Sequence, residues 1–222
     1  RPAGVNYHFV DMLYEVVELL DYLSWDRCSL LGHSMGAGVA TCVAGLLGHR
    51  IQNVLLIEGL GPMTQPPERL AELMRDSFRQ WRSLPGKTSP VYTTIDEAVE
   101  ARHIVGEMEI ASVKTLVGRG LVQMNNSYKW RSDPRLRVKS RVYLTEDQIL
   151  FFIREITAPV LVIEARDTKI QRWRDFLRSR LPEVRTLKHL VLPGGHHLHL
   201  DDPLPVAEAI RNFVQNPLVS HE

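Results

Sequence analysis

The sequence predicts an α/β fold: a partial parallel sheet flanked by helices and interrupted by a mostly helical insertion. Three observations carry that expectation. Short apolar runs at 29–31, 53–57 and 160–163 and a further strand pattern at 187–192 mark a sheet, and the continuous run at 53–57 reads as a strand covered on both faces. Segments with helical spacing stand between them, and a helix between consecutive strands implies parallel pairing through crossovers. Between the second and third runs, residues 62–158 lose the strand pattern and read mostly as helix and loop.

Taken in order, Val10, Leu13, Val17 and Leu20 recur at helical spacing opposite Asp11, Glu15 and Glu18, which marks an amphipathic helix over 10–23. The run Ser29-Leu30-Leu31 stops at Gly32 and is followed by a Gly- and Ala-rich stretch from Met35 to Leu47, read as strand, sharp turn and buried helix. A second strand covers Asn53 to Ile57. In the insertion, Leu70, Leu73, Met74, Phe78 and Trp81 outline one helix, Thr94 and Glu97 a capping box opening a second, and 109–122 a third. Thr145 and Gln148 open a fourth containing Ile149, Phe152, Ile153 and Ile156, while 83–90 and 125–141 read as loops. The parallel pattern resumes at Val160, with a helix around Trp173, Phe176, Leu177 and Leu181, a strand at 187–192, and a last helix over about 205–214.

Composition narrows the class. The 222 residues are 44% hydrophobic and 24% charged, which suits an ordinary globular domain and excludes disorder, collagen and coiled coil. With 27 Lys plus Arg against 26 Asp plus Glu, no net field calls for nucleic acid or an anionic membrane. No apolar run reaches the roughly 18 residues of a membrane span, and no secretory signal pattern opens the chain. Two cysteines, Cys28 and Cys42, are too few for a disulfide framework. The expectation is a soluble protein of a reducing, cytoplasmic compartment.

The chemistry concentrates in Gly32-His33-Ser34-Met35-Gly36, a G-x-S-x-G pattern lying between a strand and a small-residue helix. Such a turn lifts a serine hydroxyl above the sheet edge, and the helix N-terminus directs the Met35 N–H toward a developing oxyanion. A neutral serine needs a base oriented by an acid, expected downstream in the order Ser, Asp or Glu, His. Asp167, after the strand at 160–163, is the favoured acid, with Glu164 and Glu58 as alternates. For the base, Gly194 and Gly195 bring the following residue back over the sheet, which favours His196 over His197 and His199. Three histidines in four positions also fit a metal, but no cysteine, H-E-x-x-H or other ligand spacing accompanies them, so neither metal nor cofactor is expected. His33 reads as a local packing or hydrogen-bonding residue.

The blocks LLGHSMGAGVA, VLLIEGLGP, PVLVIEARD and VLPGGHHLHLDDP together resemble the α/β-hydrolase superfamily, and with WRSDPRLR at 130–137 its serine hydrolase-like, esterase-type branch. The resemblance implies Ser34 as nucleophile, Asp167 as acid, His196 as base and the Met35 amide as one oxyanion donor. It also implies a core of 1–61 and 159–222 under a helical cap of 62–158, with Leu116, Val117, Phe151 and Phe152 available to line an apolar acyl pocket. The family's leading strands and its H-G oxyanion loop have no counterpart here, and Arg1 is not an initiator methionine, so the chain is expected to be the C-terminal part of a longer hydrolase. The expected activity is carboxylesterase-like cleavage of an ester, thioester or amide in a small acyl substrate through an acyl-enzyme. The competing expectation is a non-catalytic binding module, or an inactive fragment, that keeps the serine turn as fold geometry. Nucleic acid is not an expected partner, and oligomeric state is not readable.

Overall fold

The computed structural model describes residues 7–84, 89–169, 171–216 and 218. Part of the loop expected at 83–90, residues 85–88, lies outside them. The chain forms two compact units, one of residues 8–69 and 143–222 and one containing residues 70–142.

The first unit begins with α1 (Phe9–Tyr22), β1 (Cys28–His33), α2 (Met35–Leu47) and β2 (Ile51–Ile57). The inserted unit follows, with α3 (Leu70–Arg82), β3 (Val91–Tyr92), α4 (Ile95–Ile104), α5 (Ile110–Gly120), β4 (Leu121–Met124) and β5 (Ser127–Trp130). The chain then returns through α6 (Glu146–Arg154), β6 (Val160–Ala165), α7 (Gln171–Arg180), β7 (Leu187–Leu192), α8 (Leu198–Asp201) and α9 (Pro203–Gln215).

In the first unit four parallel strands run in the order β1-β2-β6-β7. Side chains alternate across a strand, so β2 feeds two cores. Val54 and Leu56 join Val160 and Val162 on one face, against Ala37, Ala40 and Val43 of α2, Leu13 and Leu20 of α1, and Leu177 of α7. Leu55 and Ile57 join Leu161 and Ile163 on the other, against Val206 and Phe213 of α9. Burial on both faces is why these strands read as unbroken apolar runs rather than as alternation. In register, His33 stands beside Ile57 and Ile57 beside Ile163, so the residues that follow each strand emerge along one sheet edge.

The helix expected within the 62–158 insertion and opened by Thr145 belongs instead to the first unit, and the division falls at 70 and 142. The reason is its apolar stripe: Ile149, Ile153 and Ile156 are fully buried in the α2 face of the core. Small residues on α2 permit this, since a Cβ at Gly45 would overlap the Phe152 carbonyl oxygen. Both halves of the capping box form, with Thr145 Oγ1 accepting from the Gln148 N–H and Gln148 Oε1 from the Thr145 N–H. Arg180, 2% exposed, clamps the segment after β2: it binds Glu146 through Nε and Nη2, both at 2.7 Å, and its Nη1 donates to the carbonyls of Leu60 at 2.7 Å and Pro62 at 3.0 Å.

In the inserted unit, β3, β5 and β4 form an antiparallel sheet in that order. It replaces the end of the helix expected over 109–122 and part of the loop expected over 125–141. Asn125 adopts φ 50°, the left-handed turn conformation that lets β4 fold back on β5.

Candidate active site

The site is built from the residues that follow β1, β2 and β7. Ser34 sits between β1 and α2 with φ 54° and ψ −115°, outside the regions a side chain ordinarily tolerates. Its N–H donates to the Ile57 carbonyl at 3.0 Å, and its own carbonyl accepts from Ala37 and Gly38 as α2 starts. The turn requires glycine at two points of close approach. A Cβ on Gly32 would overlap the Gly36 carbonyl oxygen, and one on Gly59 would lie 2.9 Å from Ala37 Cβ and 3.0 Å from the Ser34 carbonyl. Met35 opens α2, so its N–H belongs to the first turn, whose donors have no intrahelical acceptor.

Ser34 Oγ lies 2.9 Å from His196 Nε2, and His196 Nδ1 lies 3.1 Å from Glu58 Oε2. Glu58 is the residue directly after β2, is 1% exposed, and is the second strained position of the site, with φ 52°. Its other oxygen, Oε1, accepts the Ala165 N–H at 2.6 Å, its N–H donates to the Ile163 carbonyl at 2.8 Å, and its carbonyl accepts Trp173 Nε1–H at 2.7 Å. An ionised carboxylate only accepts, so Nδ1 of His196 carries the proton and Nε2 presents its lone pair to the serine hydroxyl. Three groups thus stand in one line: hydroxyl, imidazole, buried carboxylate.

Glu58, and not Asp167, faces the histidine. Asp167 is exposed and serves the adjoining loop: its Oδ2 accepts the Gly194 N–H at 3.0 Å and its own N–H donates to the Gly194 carbonyl at 3.0 Å, pinning a glycine at φ 109°. The expected acid therefore positions the loop that carries His196. Glu164, also 1% exposed, is held by Arg178 at 2.7 Å, Arg174 at 3.3 Å and His189 at 3.0 Å. The order of the chain, with Glu58 ahead of the insertion, hid this arrangement; the strand NVLLI ending on a glutamate followed by glycine was the available signal.

His197 and His199 do not face Ser34 in place of His196. They gather around His33 instead: its ring centroid lies 4.8 Å from His196, 5.2 Å from His197 and 4.2 Å from His199. His33 Nε2 lies 2.7 Å from the His196 carbonyl oxygen, which can only accept, so this nitrogen bears the proton. Burial pushes the His33 pKa down to about 3, with the neighbouring imidazoles acting in the same direction against the hydrogen bond to His196. Burial likewise lowers that of His199. Of the apolar residues expected to line a pocket, Val117 is fully buried, Phe152 packs against the α2 face of the core and Phe151 is exposed.

A parallel sheet whose serine turn, histidine loop and buried acid meet at one edge has the architecture of the α/β-hydrolase fold. The family pattern described as the alpha/beta hydrolase fold matches residues 1–203, and the chain belongs to that family. It is similar to a serine hydrolase-like protein of Dictyostelium discoideum, at 25% identity over 96% of this chain and 63% of that one. A serine hydrolase-like protein of Danio rerio is 24% identical over 97% of this chain and 69% of its own length. The chain thus spans 63% to 69% of the length of these two relatives. The crystal structure of the hypothetical protein PA1622 from Pseudomonas aeruginosa superposes with a TM-score of 0.86 at 35% identity, covering 97% of this chain and 76% of that one. Among the described residues, no helix is long and apolar enough to cross a membrane.

Proposed function

We propose that the protein is a serine hydrolase that cleaves an ester, thioester or amide of a small acyl substrate through an acyl-enzyme on Ser34. The observation that carries this reading is the unbroken line from Ser34 Oγ through His196 to Glu58, with separations of 2.9 and 3.1 Å. In the first step Ser34 Oγ attacks the carbonyl carbon as His196 Nε2 takes the hydroxyl proton. Glu58 holds the ring in the tautomer that can accept it and stabilises the imidazolium that results. The oxygen of the tetrahedral intermediate faces the start of α2, where the Met35 N–H and the positive helix end oppose its charge. Collapse breaks the bond to the leaving group, which departs with the proton from His196. Water then repeats the sequence on the acyl-enzyme and regenerates Ser34.

We assign residues 70–142 the role of cap from their place in the chain between β2 and β6. Cys28 and Cys42 are both free and buried, and burial pushes the Cys42 thiol up to about 12, so both are inert hydrophobes suited to a reducing, cytoplasmic setting. The test is p-nitrophenyl ester turnover over a series of acyl lengths, with Ser34→Ala as control. Release of p-nitrophenolate that saturates with substrate and vanishes in Ser34→Ala is expected; absence of release across the series, or release that survives the substitution, would overturn the proposal.

A further inference from the structure

His33, His197 and His199 each bring a ring nitrogen within 4.8 Å of the other two. They come from separate points of the fold: the end of β1, the loop after β7 and the short helix α8. The line from Ser34 to Glu58 uses none of the three. Each imidazole carries one lone pair when uncharged, and two of the three rings show where it lies or what it lacks. Because Nε2 of His33 donates to the His196 carbonyl, Nδ1 is the nitrogen left with a lone pair. Nδ1 of His199 is buried and has no hydrogen-bond partner, a cost that a protein ordinarily avoids.

We propose that His33, His197 and His199 form a three-imidazole site for a divalent transition ion of the zinc type. The site stands on the histidine geometry alone. Tetrahedral zinc with Zn–N bonds of about 2.0–2.1 Å places its ligand nitrogens about 3.3 Å apart. From separations of at most 4.8 Å, rotation of the rings about their side-chain bonds supplies the remaining closure. A donor set made only of imidazole selects zinc, copper, nickel or cobalt over magnesium and calcium, which take oxygen. The His33 bond to the His196 carbonyl already fixes one ring, in the way that backbone acceptors orient metal-binding histidines.

The ion would lie beside His196, whose ring centroid is 4.8 Å from that of His33 and 5.1 Å from that of His197.

The experiment uses untagged, chelator-treated protein, with Zn2+ titrated against a chromophoric chelator and Co2+ followed by its visible absorption. One Zn2+ per chain and an intense, tetrahedral-type Co2+ spectrum are expected. His197→Gln and His199→Gln should each weaken Zn2+ binding by about ten- to a hundredfold, whereas Ser34→Ala should bind as the unaltered protein does. Lack of saturable Zn2+ binding, a weak octahedral Co2+ spectrum, or binding undiminished in both histidine variants would overturn the site. Circular dichroism identifies a variant that fails to fold, and the Co2+ spectrum of the unaltered protein then decides.

Discussion

Replacing Glu58 with Gln keeps the volume of a side chain that is 1% exposed and removes only its charge and one acceptor. The amide oxygen can still accept the Ala165 N–H, now at 2.6 Å, so the end of β6 remains tied. The amide NH2 then faces His196 Nδ1, where a carboxylate oxygen stood at 3.1 Å. Two donors cannot share that position, so the ring must take the other tautomer, with its proton on Nε2 and no lone pair for the Ser34 hydroxyl. The imidazolium also loses its buried counter-charge. An acid-to-amide change of this kind in a serine triad lowers turnover by about 10⁴-fold, or about 5.5 kcal/mol of transition-state stabilisation. Stability should fall by only about 1 kcal/mol, because one hydrogen bond is exchanged rather than a cavity opened. The assay is the second-order rate of fluorophosphonate adduct formation by intact mass, with urea denaturation alongside. Asp167→Asn is the contrast: its amide oxygen can still accept the Gly194 N–H, so its rate should stay within about tenfold, or 1.4 kcal/mol. A Glu58→Gln protein that reacts within tenfold of the unaltered one, with Asp167→Asn inactive, would refute the assignment of the acid.

Three further outcomes follow from the same geometry. Gly32→Ala should lower stability by about 3 kcal/mol or more and depress the melting temperature, because its Cβ overlaps the Gly36 carbonyl oxygen; an unchanged midpoint would show that the serine turn can relax. Arg180→Met should cost about 3 kcal/mol in urea denaturation, since it leaves Glu146 and the carbonyls of Leu60 and Pro62 without their shared donor. The Arg180 hydrogen bonds also hold the Glu146 carboxyl below its usual range, so the stability they give is complete above that range and is lost as pH falls through the lowered value. Urea midpoints should therefore drop on acidification, and less steeply in Arg180→Met; parallel pH curves for the two proteins would contradict the pairing.

Much of this fold was legible because burial on both faces leaves a plain trace. The runs at 54–57 and 160–163 alternate between two cores, so every position is apolar and none carries ambiguity about face. The serine turn was equally legible, since close approach of Gly32 and Gly59 to backbone atoms demands residues without a Cβ. The β4–β5 hairpin escaped because Leu121 to Met124 continues an apolar pattern compatible with the preceding helix, and only Asn125 in its left-handed conformation marks the reversal. Glu58 was harder still. Which of several strand-end carboxylates meets His196 depends on the path of the 193–196 loop, and Asp167 shapes that path through two backbone contacts with Gly194. The gathering of His33 with His197 and His199 is likewise a product of register across the sheet, invisible in spacing because 163 residues separate His33 from His196.

The central claim is that Ser34 is a nucleophile activated by His196 and Glu58, and intact-mass analysis after exposure to a fluorophosphonate tests it most directly. A single adduct is expected, located by peptide mapping to Ser34, absent in Ser34→Ala and strongly slowed in His196→Ala. An unmodified protein, or an adduct that persists at another residue when Ser34 is replaced, would contradict the account.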